Sequence, residues 1–157
     1  MPKEKSEFYQ ERDEAVYKTY LNVLRRSTTP VDIHKAIDEL RNEPQPRFWV
    51  PARTVYYIIR RYARYGEAPR KALQRDIIAK YNAMKDKRDL KGQSLSFIAD
   101  FVTAQPTQGF YLSHRRLFDI IRKMRKERFQ KRCREALMGL QGHERHAMLY
   151  GYNPNAH

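Results

Sequence analysis

Apolar residues recur at helical intervals along most of this chain, and almost nowhere do they alternate as a strand would require. Val16, Tyr20, Val23 and Leu24 follow an i, i+4, i+7, i+8 stripe, which predicts an amphipathic helix over about residues 7–26. Thr29-Pro30 is a good cap and first-turn pair for a second helix, whose face is Ile33, Ala36, Ile37 and Leu40. That helix must stop near Asn42-Glu43-Pro44-Gln45-Pro46, because proline neither continues a helix nor lets its predecessor do so. A third helix begins near Pro51 with Val55, Ile58, Ile59 and Tyr62 on one face, and Gly66 is placed to cap its C-terminus.

The same succession then returns. Leu73, Ile77, Tyr81 and Met84 mark a fourth helix, Ser94 caps a fifth carrying Leu95, Ile98, Ala99 and Val102, and Ser113 caps a sixth carrying Leu117, Ile120, Ile121 and Met124. The second round is a copy of the first at an offset of 62: Phe48 meets Phe110, Trp49 meets Tyr111, Arg53 meets Arg115, and Ile58-Ile59-Arg60 meets Ile120-Ile121-Arg122. Pro44 likewise meets Pro106, and Asp38 meets Asp100. An ungapped register over about thirty residues identifies an internal repeat. The expected fold class is therefore all-α: one three-helix unit over 1–67, a second over 68–134, and a short C-terminal helix with a turn-rich tail over 135–157. That last helix is suggested by Glu135-Ala-Leu-Met and Ala147-Met148-Leu149. A unit of this size buries only a modest core, so the copies should support each other. The doublets Phe48-Trp49 and Phe110-Tyr111 are expected to plug the core between the third and sixth helices.

Charge changes the picture. The chain carries a formal net charge of +14 and a pI near 10.0, and the excess is local. Residues 1–50 carry nine basic and nine acidic side chains; residues 51–66 carry four Arg and no acid; residues 67–92 carry eight basic against four acidic; and residues 110–134 carry ten against two. A localised excess of one sign favours a polyanionic partner. With Val55 facing inward, the opposite face carries Arg53, Tyr57, Arg60 and Arg64, with Arg61 beside them. In the second copy the matching face is Arg115, Asp119, Arg122 and Lys126, flanked by Arg116, Lys123 and Arg125. Arg53, Arg115 and Arg116 suit bidentate contacts to guanine, and Tyr57 suits a sugar or a thymine methyl. Arg60, Arg61, Arg64, Arg122, Lys123 and Lys126 suit phosphates. Asp119 would repel a phosphate, so it either accepts from a cytosine N4 or pairs with Arg115 or Arg122 on its own helix, and the ion pair is the preferred reading.

Pro-Ala-Arg-Thr-Val-Tyr-Tyr-Ile-Ile-Arg-Arg resembles the recognition helix of helix-turn-helix proteins through Arg53, Thr54, Val55 and Ile58-Ile59. The second copy keeps Ser113, Arg115, Leu117 and Ile120-Ile121 but has Arg116 where that pattern has Thr. The segment from Asn42 to Val50 is longer than the three- or four-residue turn of the standard motif. Pro-Gln-Pro-Arg-Phe-Trp-Val-Pro is similar to a motif in small uncharacterised proteins of gut bacteria and their mobile elements, a likeness that implies a phage or plasmid context and no activity.

Catalysis has little support. His143 and His146 lack the further ligands of a metal site, His-Glu-Arg-His is not the zinc-protease pattern, and Cys133 between Arg132 and Arg134 is a lone thiol. No cofactor is expected. No apolar run is long enough to span a bilayer, and Met-Pro-Lys-Glu-Lys is not a signal peptide, so the expected compartment is the cytoplasm, at the nucleoid, with a phage virion as the other setting. The leading expectation is a non-enzymatic DNA-binding protein, a transcriptional or mobile-element regulator gripping duplex DNA, with RNA as the other nucleic acid. Its rival is a helical adaptor or structural component of a phage particle or nucleoprotein assembly, in which the basic faces meet acidic protein and the chain oligomerises.

Overall fold

Six helices and no strand make up residues 2–139, the part of the chain described by the computed structural model. They are α1 (Pro2–Arg26), α2 (Ile33–Leu40), α3 (Ala52–Tyr65), α4 (Ala72–Met84), α5 (Leu95–Thr103) and α6 (His114–Gly139). The fold class is all-α. Most of the sequence signals act where expected. Ser94 Oγ accepts from Phe97 N–H at 3.2 Å and Ser113 Oγ accepts from Arg116 N–H at 3.1 Å, each satisfying one of the free donors of a helix start. Gly66 ends α3 in the left-handed conformation, φ 67°, and its N–H reaches back to the carbonyls of Arg61 and Tyr62.

Three boundaries differ. α1 starts at Pro2, ahead of the position near residue 7 that its stripe predicts. Asp32, not Thr29, caps α2: its carboxylate accepts from His34 N–H at 2.8 Å and Lys35 N–H at 3.0 Å. A charged acceptor at a helix start outcompetes a hydroxyl three residues earlier. Glu135–Met138 belong to α6, which continues to Gly139, and not to a separate helix. Ala147–Leu149, His143 and His146 lie outside the described residues.

The larger difference concerns which helices share a core. Val16, Tyr17, Tyr20 and Val23 of α1 and Ala36, Ile37 and Leu40 of α2 are buried against Leu117, Ile120, Ile121 and Met124 of α6. Val55 and Ile59 of α3 are buried against Ile77, Ile78, Tyr81 and Met84 of α4 and Ile98, Ala99 and Val102 of α5. Each cluster thus takes two helices from one sequence copy and the third from the other. Among the described residues α3 packs on α4 and α5, α6 packs on α1 and α2, and no packing joins α2 to α3 or α5 to α6. The packed units are accordingly α1–α2–α6 and α3–α4–α5, and they cut across the expected division at residue 67.

The crossing segments explain how. Gln45 and Thr107, equivalent positions of the two copies, exchange backbone hydrogen bonds in antiparallel fashion at 2.8 and 2.9 Å. Phe48 N–H then donates to Thr103 O at 3.0 Å, and its counterpart Phe110 N–H donates to Arg41 O at 3.3 Å. Every bond has its mate at the repeat offset, so a local two-fold axis passes between Gln45 and Thr107. Each chain segment is carried over to the opposite core there. Phe48 is buried with α3–α5 and Phe110 with α1, α2 and α6. The two aromatics therefore do not plug a core between α3 and α6, which do not touch. Gly109 allows the close approach: a Cβ there would lie 2.5 Å from Arg41 O.

Candidate nucleic-acid interface

Burying Val55 and Ile59 turns the other side of α3 to solvent. Arg53, Thr54, Tyr57, Arg61 and Arg64 are exposed, and no acidic side chain interrupts them. Arg53 Nη2 donates to the Tyr57 hydroxyl at 3.3 Å, and its guanidinium lies 5.6 Å from the Tyr57 ring centroid. That hydrogen bond and the Arg53 charge hold the Tyr57 phenol below its ordinary value, while the same bond and the charge on the Tyr57 oxygen raise Arg53 above its own. The pair forms one cationic, flat-faced unit at the N-terminal end of α3. Arg60 differs from its neighbours: it is half-buried, and its Nε is buried without a hydrogen-bond partner. Tyr65 is exposed at the far end, whereas Tyr56 and Tyr62 pack partly against the second core.

On α6 the burial of Leu117, Ile120, Ile121 and Met124 leaves Arg115, Arg116, Arg122, Lys123, Arg125 and Lys126 exposed. Asp119 faces Arg115 at 3.9 Å, Oδ2 to Nε, in the i, i+4 arrangement preferred from the sequence. Arg122 covers the Phe118 ring at 5.6 Å. Lys123 is exposed and also ion-paired. Its Nζ lies 2.6 Å from Oδ2 of Asp13, a buried carboxylate of α1 whose other oxygen takes two bonds from buried Arg12 at 3.0 and 3.2 Å. Lys123 is thus the ion-pair partner that ties α6 to α1, although it sits in the basic row.

Neither a protein-family model nor a curated protein nor a solved structure matches the chain.

The arrangement therefore rests on its own geometry. Two basic ridges, one on each core, are held by helices that bury Val55 and Ile59 in the case of α3 and Leu117, Ile120, Ile121 and Met124 in the case of α6. The basic surface also reaches beyond the residues singled out from sequence. Arg128 lies 4.9 Å over the Tyr17 ring, and a cleft of about 790 Å³ between α1 and α6 is lined by Gln10, Glu14, Tyr17, Arg128, Lys131 and Arg132 among others. The excess of basic residues that extends to Arg134 was the available signal, but the length of α6 was needed to use it. Sequence reasoning also passed over His34 and His114. Their rings stack at 5.2 Å with Nδ1 of the first 2.9 Å from Nε2 of the second, and His114 Nδ1 lies 3.4 Å from Asp38 Oδ1. They meet because α2 packs on α6, and no periodicity reports that. Arg47 sits between Phe8 and Trp49, 5.3 and 5.0 Å from their ring centroids, while Trp49 Nε1 donates to Gln45 Oε1 at 3.2 Å. Trp49 is half-buried against the first core. No described helix is long and apolar enough to cross a membrane.

Proposed function

We propose that this protein is a non-enzymatic DNA-binding protein that grips duplex DNA through α3 and α6, in the role of a transcriptional or mobile-element regulator. One observation carries the reading: each core projects a ridge of exposed Arg and Lys from the face opposite its buried stripe, and the ridge on α3 has no acid in it. A helix of this kind suits a major groove, with its early residues near base edges and its later ones near phosphates. Arg53, Arg115 and Arg116 are assigned to bases, with Tyr57 beside them. Arg61, Arg64, Arg122 and Lys126 are assigned to phosphates, and Arg60 contributes from its half-buried place. The helix-turn-helix-like pairing is completed across the repeat, α5 supporting α3 and α2 supporting α6.

A band-shift series over increasing salt tests this. The logarithm of affinity should fall linearly with the logarithm of salt, by about 0.9 for each phosphate neutralised. Arg61→Ala with Arg64→Ala should reduce that slope by about 2, without altering the helical circular dichroism. Affinity that stays flat as salt rises would exclude the reading. RNA duplex as competitor decides the class of nucleic acid.

A second reading, a helical component of a phage particle or nucleoprotein assembly, draws on Phe97 and Phe101 of α5. Both are exposed, with ring centroids 5.4 Å apart. Sedimentation at low and high concentration separates the two: large oligomers formed without nucleic acid favour assembly.

A further inference from the structure

Resting on that DNA-binding reading, we infer that the preferred target of a single chain is an inverted repeat with unequal halves. A direct repeat is what two tandem units in sequence would otherwise suggest. The observation is the symmetry of the crossover. Gln45 and Thr107 exchange antiparallel backbone bonds, and the flanking bonds Phe48 to Thr103 and Phe110 to Arg41 repeat the same relation. The helix packing obeys it throughout. α3 on α5 corresponds to α6 on α2, α3 on α4 to α6 on α1, and α4 on α5 to α1 on α2.

Two units joined in tandem by translation would present their third helices in the same sense and match a site repeated head to tail. Units related by a two-fold axis present them in opposite senses. A duplex carries its own two-fold axes between its antiparallel strands, so the two symmetries coincide when the half-sites are inverted. A dimer ordinarily supplies this relation, and here one chain contains it. The halves are not identical chemically. Arg53 and Arg115 occupy equivalent places, but Thr54 is replaced by Arg116 and Tyr57 by Asp119. The α3 half offers a single Arg held by a phenol. The α6 half offers two Arg, one of them turned to Asp119. Arg116 adds a second guanine-type donor to that half only.

The experiment is selection of bound duplexes from a randomised pool by the full chain at fixed salt, followed by sedimentation of the selected complex. The expected outcome is an enriched motif of two inverted half-sites with different base preferences, covered by one chain. Arg53→Ala should then relax one half and Arg116→Ala the other, each by roughly 5- to 150-fold at the affected base pair. Circular dichroism checks that both variants stay folded. Several outcomes overturn the inference while leaving DNA binding intact: half-sites in direct orientation, a motif with one half only, two chains per site, or salt-sensitive binding with no enriched motif. Retention of no duplex at any salt overturns the DNA-binding reading itself, and the inference with it.

Discussion

Cutting the chain between the sequence repeats should abolish folding of the first piece, although that piece contains a whole copy of the repeat. In residues 1–67, α1 and α2 would lose Phe110, Leu117, Ile120, Ile121 and Met124, all buried against them in the intact chain. Each such side chain contributes roughly 1.5–3 kcal/mol when buried, so about 7–15 kcal/mol is removed. That rivals the roughly 5–15 kcal/mol by which a whole domain is stable. In the same fragment Val55 and Ile59 of α3 would face water, because α4 and α5 are missing. Far-UV circular dichroism on heating, with sedimentation to establish size, provides the assay. Fragment 1–67 should show little helix and no cooperative transition. Mixing it with 68–139 should restore a cooperative melt, and fragment 44–105 should retain more helix than 1–67, since it keeps the α3–α4–α5 cluster together with Phe48. A monomeric 1–67 that melts cooperatively would refute the exchange of third helices.

The ion pairs between α1 and α6 give a second test. Asp13→Ala leaves buried Arg12 without its carboxylate, and breaking a buried pair in this way costs about 3–5 kcal/mol. Melting should fall by roughly 6–20 °C for a chain of this size. Lys123→Ala removes a half-exposed partner and should cost no more than about 1 kcal/mol. It should also leave the salt dependence of DNA binding unchanged, and a slope reduced by a full unit would return Lys123 to the phosphate contacts. A third test uses pH. The backbone N–H of Lys35, followed by that of His34, holds the Asp32 carboxylate below its ordinary value. Its contribution to stability is therefore complete above the ordinary carboxylate range and disappears as pH falls through the lowered value. The melting temperature of the wild type minus that of Asp32→Ser, which keeps a cap that does not titrate, should shrink over that window; a constant difference would show that the charge is irrelevant.

Element by element, the sequence carried a great deal of this fold and much less of its pairing. The stripe Val55–Ile59 on α3, the stripe Leu117–Ile120–Ile121–Met124 on α6 and the caps Ser94, Ser113 and Gly66 are local signals, and local signals determine where helices lie. They state which side of a helix is apolar but not which neighbour covers it. α3 buries the same two residues whether α2 or α5 supports it, so the exchange is invisible to periodicity. The length of the Asn42–Val50 segment was the one hint. The exposed arginines follow from the same stripes by opposition, which is why Arg53, Arg61, Arg64, Arg115 and Arg116 were legible. Lys123 is exposed with them, but its pairing was not legible, because Asp13 lies 110 residues away and belongs to the other copy.

The side-by-side seating of α1 and α6 has a mechanical consequence. Among the described residues the first two helices and the last belong to one bundle, while α3, α4 and α5 form the other along an unbroken stretch of chain. Tension applied through the outer helices is borne first by the seam they share, where Asp13 meets Lys123. Only after that seam shears and the bridge between Gln45 and Thr107 parts does load reach the inner bundle. The exchange thus makes the outer layer a latch and leaves the middle of the chain the last part to be drawn out.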